Sequence, residues 1–247
     1  LLVTRTLTKE IWLKSLAIYA MSEYKKAIIL DCDVICIQDL AELYETELED
    51  NLIGAVKFLN CYIYKNNKFL NSRQINLLEH DIDIREDYFN YGVVLQNLEA
   101  FRNTYSLSFF LEKVFSQNYL VQDQDLMNVL CKGRVKWIDS KWNTYPFLPD
   151  EFHQSISMVE DIEREYWIKG YKEPACIHFT TPVKPWLETR GVYSYAGSFF
   201  WDYASRLENF DFSFFINQIK EYNADKEFLN HIVGKNYESL YKEVQEK

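Results

Sequence analysis

The feature that most constrains the fold is a set of short, continuously apolar runs separated by segments with helical periodicity. The runs lie within NLIGAVKF (51–58), YFNYGVVLQNL (88–98) and AIIL (27–30). Their lack of polar–apolar alternation is typical of strands buried on both faces. A helix-like segment containing Trp12, Leu16 and Tyr19 precedes the first run. Strands that alternate with helices predict an α/β fold with a mostly parallel central sheet flanked by helices.

Other segments extend this pattern along the chain. Residues 39–48, 106–117 and 124–133 have the pattern of helices, and Gly133 is placed to end the last of them. Asn97 is suited to cap the helix that follows its strand. Residues 134–139 and 175–179 are strand candidates, and the chain from Phe199 onward is helix-like. We find no internal repeat and no linker, so we expect one domain.

Composition argues against several classes of function. The chain has 247 residues and a net charge of -10, whereas a protein that coats nucleic acid needs clustered Lys and Arg. We expect neither a membrane span nor a signal peptide, because the sequence has no apolar run of about 18 residues and residues 1–10 lack a charged start followed by an apolar core. Its five cysteines include no CxxC pair, which indicates a reducing compartment. A zinc site at Cys32 and Cys36 is disfavoured, because no second ligand pair follows.

The stretch KKAIILDCDVICIQDL (25–40) contains a pair of aspartates, Asp31 and Asp33, directly after an apolar run. Residues two apart in a strand point to the same side, so the two carboxylates converge if the strand continues through them. They lie at the carboxyl end of the strand, where open α/β sheets bind ligands. A divalent cation such as Mg²⁺ or Mn²⁺ would relieve the repulsion between them. The pair alone is also compatible with solvated loop aspartates that cap the next helix.

Four stretches resemble, in order, the motifs of glycosyltransferase family 8, whose members include bacterial lipooligosaccharide galactosyltransferases and glycogenin. They are ILDCDV (29–34), DYFNYGVVLQNLEAFR (87–102), VQDQDLMNVLCKGRVKWIDSKWN (121–143) and CIHFTTPVKPW (176–186). The resemblance implies a GT-A fold, a Rossmann-like sheet that holds a nucleotide sugar and a Mn²⁺ or Mg²⁺ ion. It implies a catalytic domain over residues 1–197, with a helical C-terminal region over 198–247 packed on the same domain.

The resemblance also implies transfer of a hexose, galactose or glucose, from a UDP-sugar to a saccharide or lipid-linked glycan, with retention of anomeric configuration. Asp31 and Asp33 match the metal-binding aspartates of the family, and His178 matches its third protein ligand. Lys184 matches the lysine that contacts the diphosphate. The positions expected to bind the UDP-sugar are Asp31, Cys32, Asp33, Asn90, Tyr91, Gly92, Asp123, Gln124, Thr181 and Lys184.

The positions expected to be catalytic are Lys14, Asp123, Gln124 and Asp125. Asp123 is expected to bond sugar hydroxyls, and Gln124 to lie on the face of the anomeric carbon from which a nucleophile would attack. A carboxamide is a poor nucleophile, which favours a front-face path over double displacement through Gln124. The acids at 123–125 also fit a helix N-terminus, and both interpretations can hold together.

The sequence departs from the family pattern at three positions. Lys14 stands where an arginine is usual, which keeps the charge but loses the bidentate fork. Phe58 stands near the position of a carboxylate that contacts the donor sugar in many members, which leaves the identity of the donor open. Thr181 replaces a glycine whose backbone contacts a phosphate, and a β-branched residue fits there only at negative φ.

Two rival interpretations remain from the sequence. A phosphatase of the haloacid-dehalogenase type also begins with an apolar strand and an Asp-x-Asp motif, but it needs a later Gly-Asp pair that this sequence lacks. The second interpretation is not an enzyme. It is a non-catalytic sugar-binding or scaffold protein built on a degenerate transferase fold. The retained Asp31, Asp33, His178 and Lys184 argue against it.

The opening strand–helix units of the family, which bind uracil and ribose, have no match here, and we expect a truncated front end. Because UDP-sugars are made in the cytoplasm, we expect a cytoplasmic protein, at most peripheral to the inner face of the membrane. The tail NYESLYKEVQEK (236–247) carries mixed charge and is unlike a basic membrane anchor. The acceptor and the oligomeric state are not specified by the sequence.

Overall fold

The computed structural model describes residues 11–59, 72–84, 87–116, 119, 121–146, 156–157, 159, 161–180, 184–186, 199–200, 202–204 and 206–207. Its helices and strands are α1 (Ile11–Ala20), β1 (Lys26–Leu30), β2 (Val34–Cys36), α2 (Ala41–Tyr44), β3 (Ile53–Lys57), α3 (Ser72–Glu79), β4 (Phe89–Asn97), α4 (Leu98–Thr104), α5 (Leu107–Ser116), α6 (Gln122–Cys131), β5 (Val135–Trp137), a 3₁₀ helix (Ser140–Asn143), α7 (Asp161–Lys172) and β6 (Cys176–His178).

The main sheet has four strands in the order β1-β4-β3-β5. Strand β4 is antiparallel to β1 on one side and to β3 on the other, whereas β5 is parallel to β3. The predicted α/β class is therefore confirmed, but the sheet is mixed, and only one of its described pairings is parallel. The apolar run of β4 correctly indicated burial on both faces, which carries no information about strand direction.

Each face of the main sheet packs against a separate hydrophobic cluster. Val93 and Leu95 of β4 face a cluster that includes Trp142 and Trp167. The alternate residue Val94 faces a second cluster, which α1, α4, α5 and α6 complete through the buried residues Ile18, Phe101, Phe110 and Leu126. Burial of both faces holds β4 in the middle of the fold.

A second, two-stranded sheet joins β2 to β6 in antiparallel register, with Val34 opposite His178 and Cys36 opposite Cys176. The thiols of this last pair are free and 3.5 Å apart. Thr144, which follows the 3₁₀ helix, forms an isolated parallel bridge to Ile177 on the other edge of β6. The end of β6 is thus held between β2 and the 3₁₀ helix.

Arg102 of α4 ties the end of α1 to the rest of the fold. Its guanidinium donates hydrogen bonds to four backbone carbonyls in and after the last turn of α1, those of Ile18, Met21, Ser22 and Tyr24. Carbonyls at a helix C-terminus have no partner within the helix, and a cation there is favourable. This contact fixes α1 against α4 and β1.

The predicted helix end at Gly133 is confirmed, whereas the helix predicted over 39–48 covers only Ala41–Tyr44. Gly133 follows α6 with a φ of 72°, a left-handed conformation that glycine adopts without strain. Of the predicted C-terminal helical region, 198–247, nearly all lies outside the described residues, so its extent stays a prediction. Within the described part of the chain, no helix is both long enough and apolar enough to cross a bilayer.

We expect replacement of Asn97 by alanine to weaken the start of α4. The Asn97 side chain accepts a hydrogen bond from the Ala100 N–H, and loss of such a cap costs about 1 kcal/mol. Urea unfolding would measure the loss. Asn97→Asp keeps an accepting oxygen and serves as the matched control, so an equal loss in both variants would contradict a capping role.

Candidate functional site

The two aspartates lie in the turn that joins β1 to β2. Strand β1 ends at Leu30, so the strand does not continue through Asp31 and Asp33 as the simplest expectation had it. The turn is fixed by backbone hydrogen bonds at both ends, from the Asp31 N–H to the Gly92 carbonyl (2.8 Å) and from the Phe179 N–H to the Asp33 carbonyl (2.9 Å). The turn, and not a strand, brings the two carboxylates to the same place.

His178 completes a cluster that could hold a metal ion. Each of Asp31, Asp33 and His178 offers one ligand atom, and these atoms lie within 4.8 Å of one another. The His178 Nε2 atom is 3.2 Å from Asp33 Oδ1 and 3.6 Å from Asp31 Oδ2. One imidazole nitrogen and two carboxylates form a donor set that suits Mn²⁺ or Mg²⁺. The structure therefore brings together the three predicted ligands.

Gly92 provides the space for His178. A Cβ atom at Gly92 would lie 1.9 Å from Cε1 of the imidazole and 2.5 Å from its Nδ1. The missing side chain at Gly92 therefore leaves room for the His178 ring, and the expected contact of Gly92 with the UDP-sugar stays a prediction.

Lys14 of α1 joins the aspartate turn to α6. Its ammonium lies 2.7 Å from Asp31 and 3.1 Å from Asp123, and it donates to the Tyr91 carbonyl. Burial raises the pKa of Asp123, against the attraction of Lys14. Lys14 thus holds two predicted site carboxylates together, a role that a single ammonium can fill without the bidentate fork of arginine.

Lys184 approaches the cluster from the opposite side. Its ammonium is 2.6 Å from Asp33 Oδ2 and also donates to the Phe179 carbonyl. Burial by itself would raise the pKa of Asp33, but the Lys184 ammonium and the adjacent His178 ring outweigh burial and hold that pKa well below its ordinary value. Thr181, the other predicted residue of this stretch, lies outside the described residues.

The acids at the start of α6 have different positions. Asp123 is turned toward Lys14 and also accepts from the Gln124 N–H. Asp125 is fully buried and accepts hydrogen bonds from the Tyr88 hydroxyl and the Val121 N–H. Asp125 therefore satisfies an N–H group at the helix N-terminus, and its expected catalytic role stays a prediction. The alternative interpretation of this stretch, a helix start rich in acids, holds for Asp125.

The amide of Gln124 is held on both sides. Its Oε1 atom accepts from the Asn90 side chain at 3.0 Å and from the Tyr91 N–H at 3.1 Å, and its Nε2 donates to the Tyr88 hydroxyl at 3.0 Å. Gln124 is 8% exposed. Both lone pairs of its carbonyl oxygen are used in these bonds, so the oxygen is poorly placed to attack an anomeric carbon.

The remaining residues predicted to bind the UDP-sugar differ in how exposed their side chains are. Cys32, between the two aspartates, is exposed at the site. Tyr91 is 1% exposed, and its ring packs in the core, with the Lys14 ammonium 4.4 Å from the ring centre. Phe58, at the position of the usual carboxylate, packs edge to face on Tyr88 and Tyr145.

One buried residue of the site, Asn143, was not among the predicted site residues. It is completely buried at the end of the 3₁₀ helix, and its Oδ1 atom lies 3.0 Å from Nδ1 of His178. The only signal in the sequence was its position in the Trp-Asn pair that closes the third motif.

We expect Gly92→Ala to destabilise the protein by more than the 1–3 kcal/mol typical of an overpacked core, because a Cβ atom would overlap the His178 ring. Thermal unfolding would measure this. Gly133→Ala is the matched control, since a Cβ atom there has no neighbour within 4 Å and meets only the strain of its φ of 72°. A smaller loss at Gly92 than at Gly133 would contradict the contact.

Comparison with known proteins agrees with this geometry. The chain is 28% identical over 164 residues to a lipopolysaccharide 1,2-glucosyltransferase of Escherichia coli, with 65% of this chain and 44% of that protein covered. It is 22% identical over 175 residues to a lipopolysaccharide 1,3-galactosyltransferase of Salmonella typhimurium, with 69% and 47% covered. The chain therefore spans about half the length of these curated relatives.

The fold is also that of a solved glycosyltransferase. The galactosyltransferase LgtC, crystallised with donor and acceptor sugar analogues, superposes with a TM-score of 0.65 at 24% identity, over 87% of this chain and 73% of that one. This likeness confirms the GT-A fold. The family model described as "Glycosyl transferase family 8" matches residues 2–190, more than half of the chain, and the chain belongs to that family.

Proposed function

We propose that the protein is a retaining hexosyltransferase that moves galactose or glucose from a UDP-sugar to a saccharide or lipid-linked acceptor, with Mn²⁺ or Mg²⁺ bound at the aspartate pair. The observation that carries the proposal is the convergence of Asp31, Asp33 and His178, with one ligand atom of each within 4.8 Å of the others. The names of the E. coli and Salmonella relatives support a hexose donor and a lipopolysaccharide-type acceptor.

The three residues would hold the metal through one nitrogen and two carboxylates, which leaves other positions for phosphate oxygens. A metal bound there would offset the negative charge that develops on the departing diphosphate. Lys184 is placed to assist, because its ammonium already lies 2.6 Å from Asp33 and can turn to a phosphate as a point charge.

Asp123 and Lys14 are proposed to orient the donor sugar. Asp123 is buried, and its Oδ2 atom lies 3.1 Å from the Lys14 ammonium. A carboxylate oxygen can accept more than one hydrogen bond, so a sugar hydroxyl can donate to the same group. The pair would thus fix the sugar beside the aspartate turn, since Lys14 also contacts Asp31.

A front-face path is supported by the bonds of Gln124. Its carbonyl oxygen accepts two hydrogen bonds and its nitrogen donates one, so attack by Gln124 would require those bonds to break. In the front-face path the acceptor hydroxyl attacks on the side from which UDP departs, and the departing phosphate accepts its proton. Retention then needs no covalent enzyme intermediate.

Calorimetric titration of UDP with and without Mn²⁺ tests the proposal most directly. We expect binding that appears only when Mn²⁺ is present, followed by metal-dependent hydrolysis of UDP-glucose or UDP-galactose. A protein that binds UDP in neither condition, and hydrolyses no UDP-sugar, would contradict the proposal and favour a non-catalytic scaffold.

We expect Asp33→Asn to reduce donor hydrolysis at least ~10²-fold at saturating Mn²⁺, because the site loses a charged metal ligand. The matched control is Asp81→Asn, which removes the same charge from a side chain that is 93% exposed and paired with Lys132. Substantial hydrolysis by Asp33→Asn would defeat the metal assignment.

Gln124→Ala is expected to lower the transfer rate by roughly 10²-fold or less, since it loosens Asn90 and Tyr88 without removing a nucleophile. Loss of a true nucleophile would cost about 10⁶-fold. Mass spectrometry of the protein after rapid quenching provides the second measurement. A sugar covalently attached to Gln124 or Asp125 would overturn the front-face path.

A further inference from the structure

A buried chain of side-chain amides leads from α6 to the imidazole of His178. Gln124 Oε1 accepts from Asn90 Nδ2, Asn90 Oδ1 accepts from Asn143 Nδ2, and Asn143 Oδ1 faces His178 Nδ1, each at 3.0 Å. All four residues are at most 8% exposed. Every link in this chain is direct, with no gap wide enough to need a bridging water.

The direction of each amide is fixed by a backbone N–H group. The Tyr91 N–H points at Gln124 Oε1, and the Gly92 N–H points at Asn90 Oδ1 at 2.9 Å. A backbone N–H can only donate, so each of these side-chain atoms must be the oxygen. Asn90 therefore presents an acceptor to Asn143, and Asn143 must turn its NH₂ group toward Asn90 and its oxygen toward His178.

This direction determines which nitrogen of His178 carries a proton. Nδ1 faces an oxygen that can only accept, so it must be the protonated nitrogen. The two carboxylates oppose this arrangement, because Asp33 Oδ1 lies 3.2 Å from Nε2 and would accept a proton held there. Without Asn143, the neutral imidazole would be expected to carry its proton on Nε2, toward the aspartates.

We propose that Asn143 is the positioning residue that keeps Nδ1 of His178 protonated, so that the Nε2 lone pair points at the aspartates for a metal ion. This inference rests on the proposed role of His178 as a metal ligand. Metal-bound histidines commonly donate their other N–H to a fixed acceptor, and loss of that acceptor weakens metal binding. Here the acceptor is itself oriented by β4 through Asn90.

The backbone holds Asn143 in register with His178. The Thr144 N–H donates to the Cys176 carbonyl at 3.0 Å, and the His178 N–H donates to the Thr144 carbonyl at 2.9 Å. Gly170 of α7 packs against the start of the 3₁₀ helix, where a Cβ atom on it would lie 2.2 Å from Ser140 Oγ. The amide and the imidazole are thus carried on two backbone segments that are bonded directly to each other.

Nitrogen NMR of ¹⁵N-histidine-labelled, metal-free protein at alkaline pH tests the proposal, because it distinguishes a protonated from a bare ring nitrogen. The His178 signal among the four histidines is assigned from its absence in His178→Gln. We expect Nδ1 to be protonated in the wild-type protein. A bare Nδ1 with a protonated Nε2 would overturn the proposal without any variant.

Asn143→Leu and Asn128→Leu form a matched pair. Asn128 is also a buried asparagine, but its amide bonds the backbone of Phe89 and Gln124. We expect Asn143→Leu to move the proton to Nε2 and to weaken Mn²⁺ binding, measured by electron paramagnetic resonance, about 10–100-fold. Asn128→Leu should lose stability with an unchanged His178 signal. An unchanged signal in Asn143→Leu would contradict the role of Asn143.

Asn143→Asp provides a rescue if the leucine variant does not fold. It keeps an accepting oxygen for His178, although its second oxygen replaces the NH₂ group that donates to Asn90 Oδ1. We expect Nδ1 to stay protonated, and a bare Nδ1 there would count against the proposal. Failure of the proposed function is separately visible. A wild-type protein that binds neither Mn²⁺ nor UDP would contradict the transferase, whereas the protonation of metal-free His178 still decides the role of Asn143.

Discussion

The close contact at Gly92 is the constraint on which the site depends. The Gly92 carbonyl accepts the Asp31 N–H, its own N–H orients Asn90, and its missing side chain leaves room for His178. One residue of the central strand therefore touches the aspartate turn, the amide chain and the imidazole. A side chain at Gly92 would separate the main sheet from the small sheet, because the imidazole of His178, at the end of β6, could no longer pack against β4.

Charge compensation is the second requirement of the site. The carboxylates of Asp31, Asp33 and Asp123 lie close together, and two ammonium groups are shared among them. Lys14 sits between Asp31 and Asp123, while Lys184 lies on the far side of Asp33. Like charges this close are stable only when cations separate them. The two lysines thus hold the acids in place, and they also offer positive charge to an anionic donor.

The sequence predicted the parts of this site that local chemistry determines. The Asp31–Asp33 pair was predicted from its own residues and α/β alternation from periodicity, whereas His178 and Lys184 were predicted through the resemblance to the family. The antiparallel direction of β4 could not be found, because an apolar run reports burial and not direction. The contact of Gly92 with His178 and the role of Asn143 join residues far apart in sequence. Such pairings depend on tertiary packing, which a local pattern does not contain.

The hydrogen bonds from Arg102 to the end of α1 determine which substitutions the following loop tolerates. All four acceptors of the guanidinium are main-chain carbonyls, between Ile18 and Tyr24. Every residue has a main-chain carbonyl, whatever its side chain. Substitutions in the loop after α1 therefore leave the acceptors of Arg102 in place. Arg102, on a different helix, therefore helps to hold α1, the helix that carries Lys14. Substitutions at Ser22 or Tyr24, whose side chains are exposed, should leave that helix in place.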